Sequence, residues 1–154
     1  LLADPRYFPV LLYPGKDANT VRTEGFADLV GDKTLLVIVI DATWFCSRKV
    51  IEHSVFLLDL PRLSFAGSYG SEVTFKREPS PDYISTIESC YYLIKELQAA
   101  HLANENANPE PLMTAFRKLI RDQLQAQNDR IDGKLPDTHS YNWKYTKKVN
   151  IPKT

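Results

Sequence analysis

The most apolar run of the chain, Leu35 to Ile40, is continuous rather than alternating and is rich in β-branched residues. This pattern is typical of a strand buried on both faces of a parallel sheet. A shorter apolar run, Phe8 to Tyr13, predicts an earlier strand that ends at the turn signal Pro14-Gly15. Residues 18–30 have weak helical spacing, and the residues expected to face inward there are Val21, Phe26, Leu29 and Val30.

The pattern continues with alternating strands and helices. Residues 44–51 predict a helix, Val55 to Leu60 predicts a third strand closed by Pro61, and residues 72–76 predict a short fourth strand. Strands that alternate with helices are the signature of a parallel sheet. The predicted fold class is therefore α/β, a single domain with a mostly parallel sheet flanked by helices.

Two long helices are predicted in the second half. Ser85 and Glu88 have the spacing of a capping box, and the helix that follows is expected to direct Lys95, Glu96 and Gln98 to water. Its packing face is predicted to be Ile84, Ile87, Tyr91, Ile94 and Leu97. A second helix begins at Asn108-Pro109-Glu110 and is expected to stop by Asp132-Gly133. Its buried stripe is predicted to be Leu112, Phe116, Leu119, Ile120 and Leu124.

Composition narrows the class of protein. The 154 residues are 44% hydrophobic and 25% charged, which is ordinary for one domain, and nineteen basic residues balance nineteen acidic ones. Net charge therefore gives no support to a nucleic-acid partner. No apolar stretch approaches the roughly 20 residues that span a bilayer, and no signal peptide is recognisable, so we expect a cytoplasmic protein without a membrane partner. Because the chain opens on the lead-in to a strand, we expect it to be part of a longer protein.

Motifs for several chemistries are missing. The sequence has no glycine-rich dinucleotide fingerprint, phosphate loop, HExxH helix, paired CxxC site or nucleophile elbow. His53, His101 and His139 lie far apart without partners at ligand spacing, so no metal site is expected. Cys46 and Cys90 lie in apolar surroundings and are expected to be buried, reduced thiols.

Asp41 is the first candidate for chemistry, because it follows the apolar strand at the edge of the sheet where ligands bind in open α/β folds. Other polar or aromatic residues lie at probable strand ends and helix starts: Thr43, Trp44, Pro61, Arg62, Tyr69, Arg77, Ser85, Thr86 and Glu88. Structural roles compete with functional ones. Asp41 could instead be the N-cap of the next helix, Trp44 a core aromatic and Arg77 a charged surface residue. The capping box alone explains Ser85 and Glu88.

Aromatic and basic side chains alternate in residues 141–148, at the C-terminus. Such a pattern can stack bases and neutralise phosphates, or it can dock on the domain while its lysines face water. We expect residues 1–136 to form the catalytic domain and residues 137–154 to form an aromatic and basic arm. The candidate RNA-binding residues are Arg48, Lys49, Trp143, Lys144, Lys147 and Lys148.

An ordered series of short motifs resembles the DTW-domain family. The series consists of residues 12–18, Asp41-Ala42-Thr43-Trp44, residues 60–62, residues 75–79 and residues 84–89. The resemblance covers nearly all of residues 7–102. Characterised members of the family are tRNA-uridine aminocarboxypropyltransferases. Members usually carry an N-terminal cysteine cluster that looks like a zinc site, and the printed sequence has no comparable cluster.

This resemblance implies a fold related to the SPOUT-type α/β proteins, in which the chain can be knotted. It also implies S-adenosylmethionine as donor and tRNA as partner, with no metal in this part of the chain. In the implied reaction, N3 of a uridine takes the 3-amino-3-carboxypropyl group and methylthioadenosine leaves. Alternatives are another donor-dependent RNA modification, either aminocarboxypropylation of ribosomal RNA or methyl transfer, and a non-catalytic nucleotide- or RNA-binding module.

Roles for the candidate residues follow from this reaction as hypotheses. Asp41 takes the N3 proton or orients the base edge, a task suited to a carboxylate in a half-buried crevice. Trp44 stacks on the adenine or the target base. Ser85 and Thr86, at a helix start, face the donor's carboxylate, and Arg77 pairs with that carboxylate or with an RNA phosphate.

Overall fold

Three parallel strands form the centre of the domain. The computed structural model describes residues 1–73, 83–136 and 148–152. Strands β1 (Tyr7–Leu12), β2 (Thr34–Ile38) and β3 (Arg62–Leu63) lie in the order β2-β1-β3. In the register, Leu11 of β1 pairs with Ile38 on one side and with Arg62 on the other. The predicted α/β class with a parallel sheet is confirmed, whereas a SPOUT relationship and a knot stay predictions.

The strand buried on both faces is β1 rather than β2. Val10 and Leu11 of β1 are fully buried, while Leu35 to Ile38 of β2 are only half-buried. The prediction of complete burial for the most apolar run is wrong because β2 lies at an edge of the described sheet. The strand also ends at Ile38, so Val39 and Ile40 belong to the segment that leads to Asp41.

Two predictions for the first half are wrong in detail. Helix α1 covers only Phe26–Val30, and the side chain of Leu29 is 59% exposed. The apolar run Val55–Asp59 forms a 3-10 helix instead of a strand. Its Val55, Phe56 and Leu58 are exposed and only Leu57 is buried, so the apolar run does not have the burial of a core strand. The predicted strand over residues 72–76 falls mostly outside the described residues, and Glu72 and Val73 are not in a strand.

Helix α2 (Trp44–His53) follows the segment after β2, as predicted. Helix α3 (Thr86–Ala99) begins with the predicted capping box, formed by Ser85 and Glu88. Helix α4 (Glu110–Ile131) ends where expected, with Asp132 as its C-cap and Gly133 at a φ of 72°. No helix in the described ranges combines the length and the apolar character that a membrane crossing requires.

Two apolar clusters hold the helices in place. The first joins the sheet to α1 and α3, and it contains Val10, Phe26, Val30, Leu63, Leu93 and Leu97. The second lies along α4 and contains Met113, Phe116, Ile120 and Leu124, with Ile87 and Tyr91 of α3 packed against it. Of the predicted buried stripe, Leu112 is only half-buried and Leu119 is 53% exposed, whereas Met113, which was not predicted, is fully buried.

The C-terminal residues 148–152 lie on α4. Val149 and Ile151 pack against the second cluster, and Lys148 Nζ lies 2.6 Å from an Asp132 carboxylate oxygen. The side-chain amide of Asn128 donates to the carbonyl of Val149 at 3.0 Å and accepts from its N–H at 2.9 Å. Asn128 thus supplies the pair of hydrogen bonds that a neighbouring strand would supply.

We predict that Asn128→Ala lowers the free energy of unfolding by about 1–3 kcal/mol, because two partly buried hydrogen bonds are lost. The amide of Val149 should also exchange faster with solvent. Chemical denaturation and hydrogen exchange measure the two effects. Gln125→Ala on the same helix is the control, since Gln125 is exposed and bonds only to Asp129 among the described residues. Equal stability and equal exchange rates in both variants would show that the two hydrogen bonds between Asn128 and Val149 do not stabilise the fold.

Candidate functional site

A cavity of about 1010 Å³ opens at the carboxyl ends of the three strands. Its walls include the segments that follow each strand: Tyr13 and Pro14 after β1, residues 39–43 after β2 and residues 64–69 after β3. The first turn of α3 and part of α4 complete the lining. The volume is at the upper end of the range for ligand pockets, which is about 300–1,000 Å³. The structure therefore has a cavity at the edge of the sheet where the sequence predicts a site, and ligand binding there stays a prediction.

Asp41 lies in this cavity and is not the cap of α2. Thr43 is the N-cap, and its hydroxyl accepts from the N–H of Cys46 at 3.3 Å. Asp41 is exposed rather than half-buried, and it makes no hydrogen bond with a residue that the structure describes. The capping alternative for Asp41 is wrong, and the residue is part of the cavity lining.

The segment after β3 forms a wall of the cavity, which we call the β3 wall (residues 64–69). Tyr69 stacks on Tyr92 of α3 with ring centroids 4.0 Å apart, and Phe65 meets the Tyr69 ring edge-on at 5.5 Å. The Tyr69 hydroxyl donates to Glu96 at 2.8 Å. Burial and, next, this hydrogen bond raise the pKa of Tyr69 to about 12, so the phenol stays protonated at neutral pH.

Glu88 holds the chain beyond this wall instead of facing the cavity. Its fully buried carboxylate accepts from the hydroxyl of Ser71 at 2.9 Å, the N–H of Glu72 at 2.6 Å and both the N–H and hydroxyl of Ser85. Arg117 of α4 then binds Glu72 through two hydrogen bonds of 2.7 and 2.8 Å, and it holds the pKa of Glu72 below its ordinary value. Glu88 is therefore a structural carboxylate.

The start of α3 lines the cavity with Ser85, Thr86, Ile87, Ser89 and Cys90. The N–H groups of the first helical residues have no acceptor within the helix, as at any helix start. One carboxylate, that of Glu88, already binds at this start. Thr86 and Ile87 are consequently the positions where a backbone N–H can face a ligand.

Helix α4 gives the cavity an apolar side. Leu112, Phe116 and Leu119 line it together with Val73. Among the described residues of the lining, Asp41 is the only charged one. The described part of the lining thus combines an apolar surface, several hydroxyl groups and a single negative charge.

Several candidates lie elsewhere. Pro61 and Arg62 are not among the lining residues, and the Arg62 guanidinium lies over Gly15, where an added Cβ would come within 2.5 Å of Nη1. Arg48 and Lys49 are exposed on α2. Of Trp44 the structure describes the backbone, at the start of α2. The candidates outside the described residues are Arg77, Trp143, Lys144 and Lys147.

Sequence reasoning misjudged three residues of the helices that form or support the site. Glu96, assigned to the water face of α3, is only 7% exposed and binds the β3 wall. Phe116 was assigned to the core alone, yet it also lines the cavity. Cys46 is exposed rather than buried. For Glu96 a signal existed, because it follows Glu88 by eight residues and so lies near the same face of the helix.

No group of three or more histidine, cysteine or acidic side chains within the described ranges is arranged to hold a metal ion. The described residues form an α/β domain with a cavity at the carboxyl edge of a parallel sheet. A family model described as "DTW domain" matches residues 1–124, and the chain belongs to this family. No curated protein and no solved structure matches the chain.

The pKa of the Cys90 thiol responds to the charge of Asp41, which also lines the cavity. Burial raises the pKa of the Cys90 thiol, and the negative charge of Asp41 raises it further. We predict that Asp41→Asn lowers the pKa of Cys90, so a larger fraction is thiolate at a given pH and iodoacetamide reacts faster. The measurement is the alkylation rate against pH in a Cys46→Ser background, which removes the exposed thiol.

Asp32→Asn is the matched control, because Asp32 is exposed in the turn before β2, at the opposite edge of the sheet. An unchanged alkylation profile in Asp41→Asn would show that the carboxylate does not face Cys90.

Proposed function

We propose that this domain transfers the 3-amino-3-carboxypropyl group from S-adenosylmethionine to N3 of a uridine in tRNA. Membership of the DTW-domain family is consistent with tRNA modification of this kind. The observation that carries the proposal is Asp41: the only charged residue among the described lining, not used as a helix cap, and placed at the strand ends.

The lining suits this donor. S-adenosylmethionine carries a positive sulfonium next to an adenosine group, and a carboxylate attracts the sulfonium while apolar walls accept the adenosine. The cavity volume of about 1010 Å³ leaves space for a uracil base beside the donor. Thr43 and Thr86 bring hydroxyl groups to the lining, whereas the Ser85 hydroxyl is already bonded to Glu88. The Tyr69 ring forms part of the β3 wall.

The proposed chemistry begins at the N3–H of the uracil. Asp41 accepts the N3 proton, and the nitrogen lone pair attacks the methylene carbon bonded to the sulfonium sulfur. A new N–C bond forms while the C–S bond breaks, and its electron pair passes to sulfur. The products are the substituted uridine and neutral methylthioadenosine. The donor's carboxylate is placed at the start of α3, near the N–H groups of Thr86 and Ile87.

A surface for the RNA is proposed on α2, close to the cavity. Phe45, Arg48 and Lys49 have i, i+3, i+4 spacing and therefore share one face. The Phe45 ring is 68% exposed, and Lys49 Nζ lies 4.6 Å from its centroid. An exposed ring beside two cations can stack a base and neutralise phosphates. Lys148 contributes less to such a surface because Asp132 already pairs with it.

We predict that Asp41→Asn lowers turnover by roughly 10²- to 10⁴-fold, the usual contribution of a positioned base. Affinity for the donor should fall much less, because only the attraction between Asp41 and the sulfonium is lost while the cavity walls stay intact. Labelled donor and unmodified tRNA, followed by nucleoside mass analysis and calorimetric titration of the donor, give both values. Asp17→Asn is a control, because Asp17 is exposed in the turn after β1 and is not part of the described lining.

The products distinguish the alternatives. Methylthioadenosine indicates aminocarboxypropyl transfer, whereas S-adenosylhomocysteine indicates methyl transfer. Binding of RNA without either product supports a non-catalytic module and contradicts the proposal. A variant at Asp41 that loses donor affinity yet keeps its saturated rate would make this carboxylate a binding group instead of a base.

We also predict that Arg48→Ala and Lys49→Ala weaken tRNA binding, and that each reduces the slope of log K against log salt concentration by about 0.7–0.9. Filter binding across a salt series measures the slope. Lys33→Ala serves as control, since Lys33 is exposed just before β2, at the other edge of the sheet. The same slope in all three variants would remove α2 from the RNA surface.

A further inference from the structure

Glu96 of α3 is a buried carboxylate that the proposed reaction does not use. It is 7% exposed and does not line the cavity. Its Oε1 accepts from the N–H of Gly67 at 2.8 Å, and both of its oxygens lie 3.0 Å from the N–H of Ala66. The Tyr69 hydroxyl is the third donor, at 2.8 Å. Two successive backbone N–H groups and a phenol therefore enclose one anion, as in the concave backbone sites that bind anions.

These three donors all belong to the β3 wall. Ser64, Phe65, Gly67, Ser68 and Tyr69 line the cavity. The wall is fixed at its beginning by the N–H of Ser64, which donates to the carbonyl of Asn19 at 2.7 Å. Beyond the wall, Glu88 binds Ser71 and Glu72. Between these two points, Glu96 accepts hydrogen bonds from Ala66, Gly67 and Tyr69, which help to fix the path of the backbone and the position of the Tyr69 ring.

Gly67 shows how closely this arrangement is packed. A Cβ built at this position lies 2.7 Å from the Tyr69 hydroxyl oxygen, too close for the phenol to keep its place. The backbone at Gly67 does not have a positive φ, so alanine is tolerated by the chain itself and acts only through this contact. Gly70, by contrast, has nothing within 4 Å of an added Cβ.

We propose that Glu96 is a positioning residue, which holds the β3 wall in the form that binds the donor. This inference rests on the proposed function. The carboxylate acts through Ala66, Gly67 and Tyr69 rather than by touching the donor. It therefore sets the donor affinity and leaves the proton transfer at Asp41 unaffected.

The test compares Glu96→Gln with wild type in two measurements. A glutamine at this position directs an NH₂ group at one of the donors, so at least one charge-assisted hydrogen bond is lost. We expect the amides of Ala66 and Gly67 to exchange faster with solvent. We expect the dissociation constant for S-adenosylmethionine, measured by calorimetry, to rise by about tenfold, as for one hydrogen bond to a charged group. The rate at saturating donor should stay within about twofold, which gives a KM effect without a kcat effect.

A further pair of variants, Gly67→Ala and Gly70→Ala, keeps the inference testable if Glu96→Gln does not fold. Gly67→Ala should displace the Tyr69 phenol and weaken donor binding, while Gly70→Ala should not. Tyr69→Phe removes one of the three donors and should give a smaller loss than Glu96→Gln. The exposed Glu24→Gln is the charge-matched control and should equal wild type.

The outcomes separate the two proposals. If the wild-type chain binds the donor and Glu96→Gln binds it equally well, the inference is overturned and the proposed function stands. Faster exchange at Ala66 and Gly67 with unchanged donor affinity also overturns it, because the wall then moves without affecting the site. If the wild-type chain binds no donor, the proposed function fails and the inference fails with it.

Discussion

The structure depends on two buried carboxylates of α3 that bind the chain following β3. Glu88 and Glu96 are eight residues apart, about 12 Å along a helix, and each accepts from backbone N–H groups of the segment that passes over it. A segment without regular secondary structure has backbone groups that need partners, and here anionic side chains supply them. Because the same segment walls the cavity, the contacts that stabilise the fold also determine the shape of the site. The apolar faces of α3 then join this unit to the sheet on one side and to α4 on the other.

Local signals in the sequence predicted the elements that are determined locally. The capping box at Ser85 and Glu88, the stop at Gly133 and the strand ahead of Pro14-Gly15 all involve residues within a few positions of each other. Burial was predicted less well, because it depends on which strand lies at the centre of the sheet. The apolar character of residues 35–40 could not reveal that β2 is an edge strand of the described sheet. Residues 55–59 are apolar enough for a strand, yet in the structure they form a 3-10 helix ahead of Pro61.

The sequence predicted where the cavity lies in the fold, but not all of the residues that line it. Position at the end of a parallel strand was enough to find Asp41, Thr43 and Tyr69, since all strand ends of a parallel sheet meet at one edge. The contribution of α4 was not predictable, because Phe116 and Leu119 come to the cavity through helix packing across a long sequence separation. Glu88 was assigned to the ligand and proved to be part of the scaffold, while Glu96 was assigned to solvent and proved to be buried. Acidic residues at helical spacing are ambiguous until the segment that crosses them is known.

The described lining of the cavity carries a single negative charge, so it binds the cationic donor and the neutral product nucleoside of the proposed reaction with different strength. Before transfer, the sulfur of the nucleoside is cationic and is attracted by Asp41. After the C–S bond breaks, the same sulfur belongs to an uncharged thioether, and that attraction vanishes. The spent nucleoside lacks this attraction and dissociates more readily than a fresh donor molecule. One acidic side chain would thus account both for the release of the product nucleoside and for the preferential binding of a new donor molecule, without a moving lid.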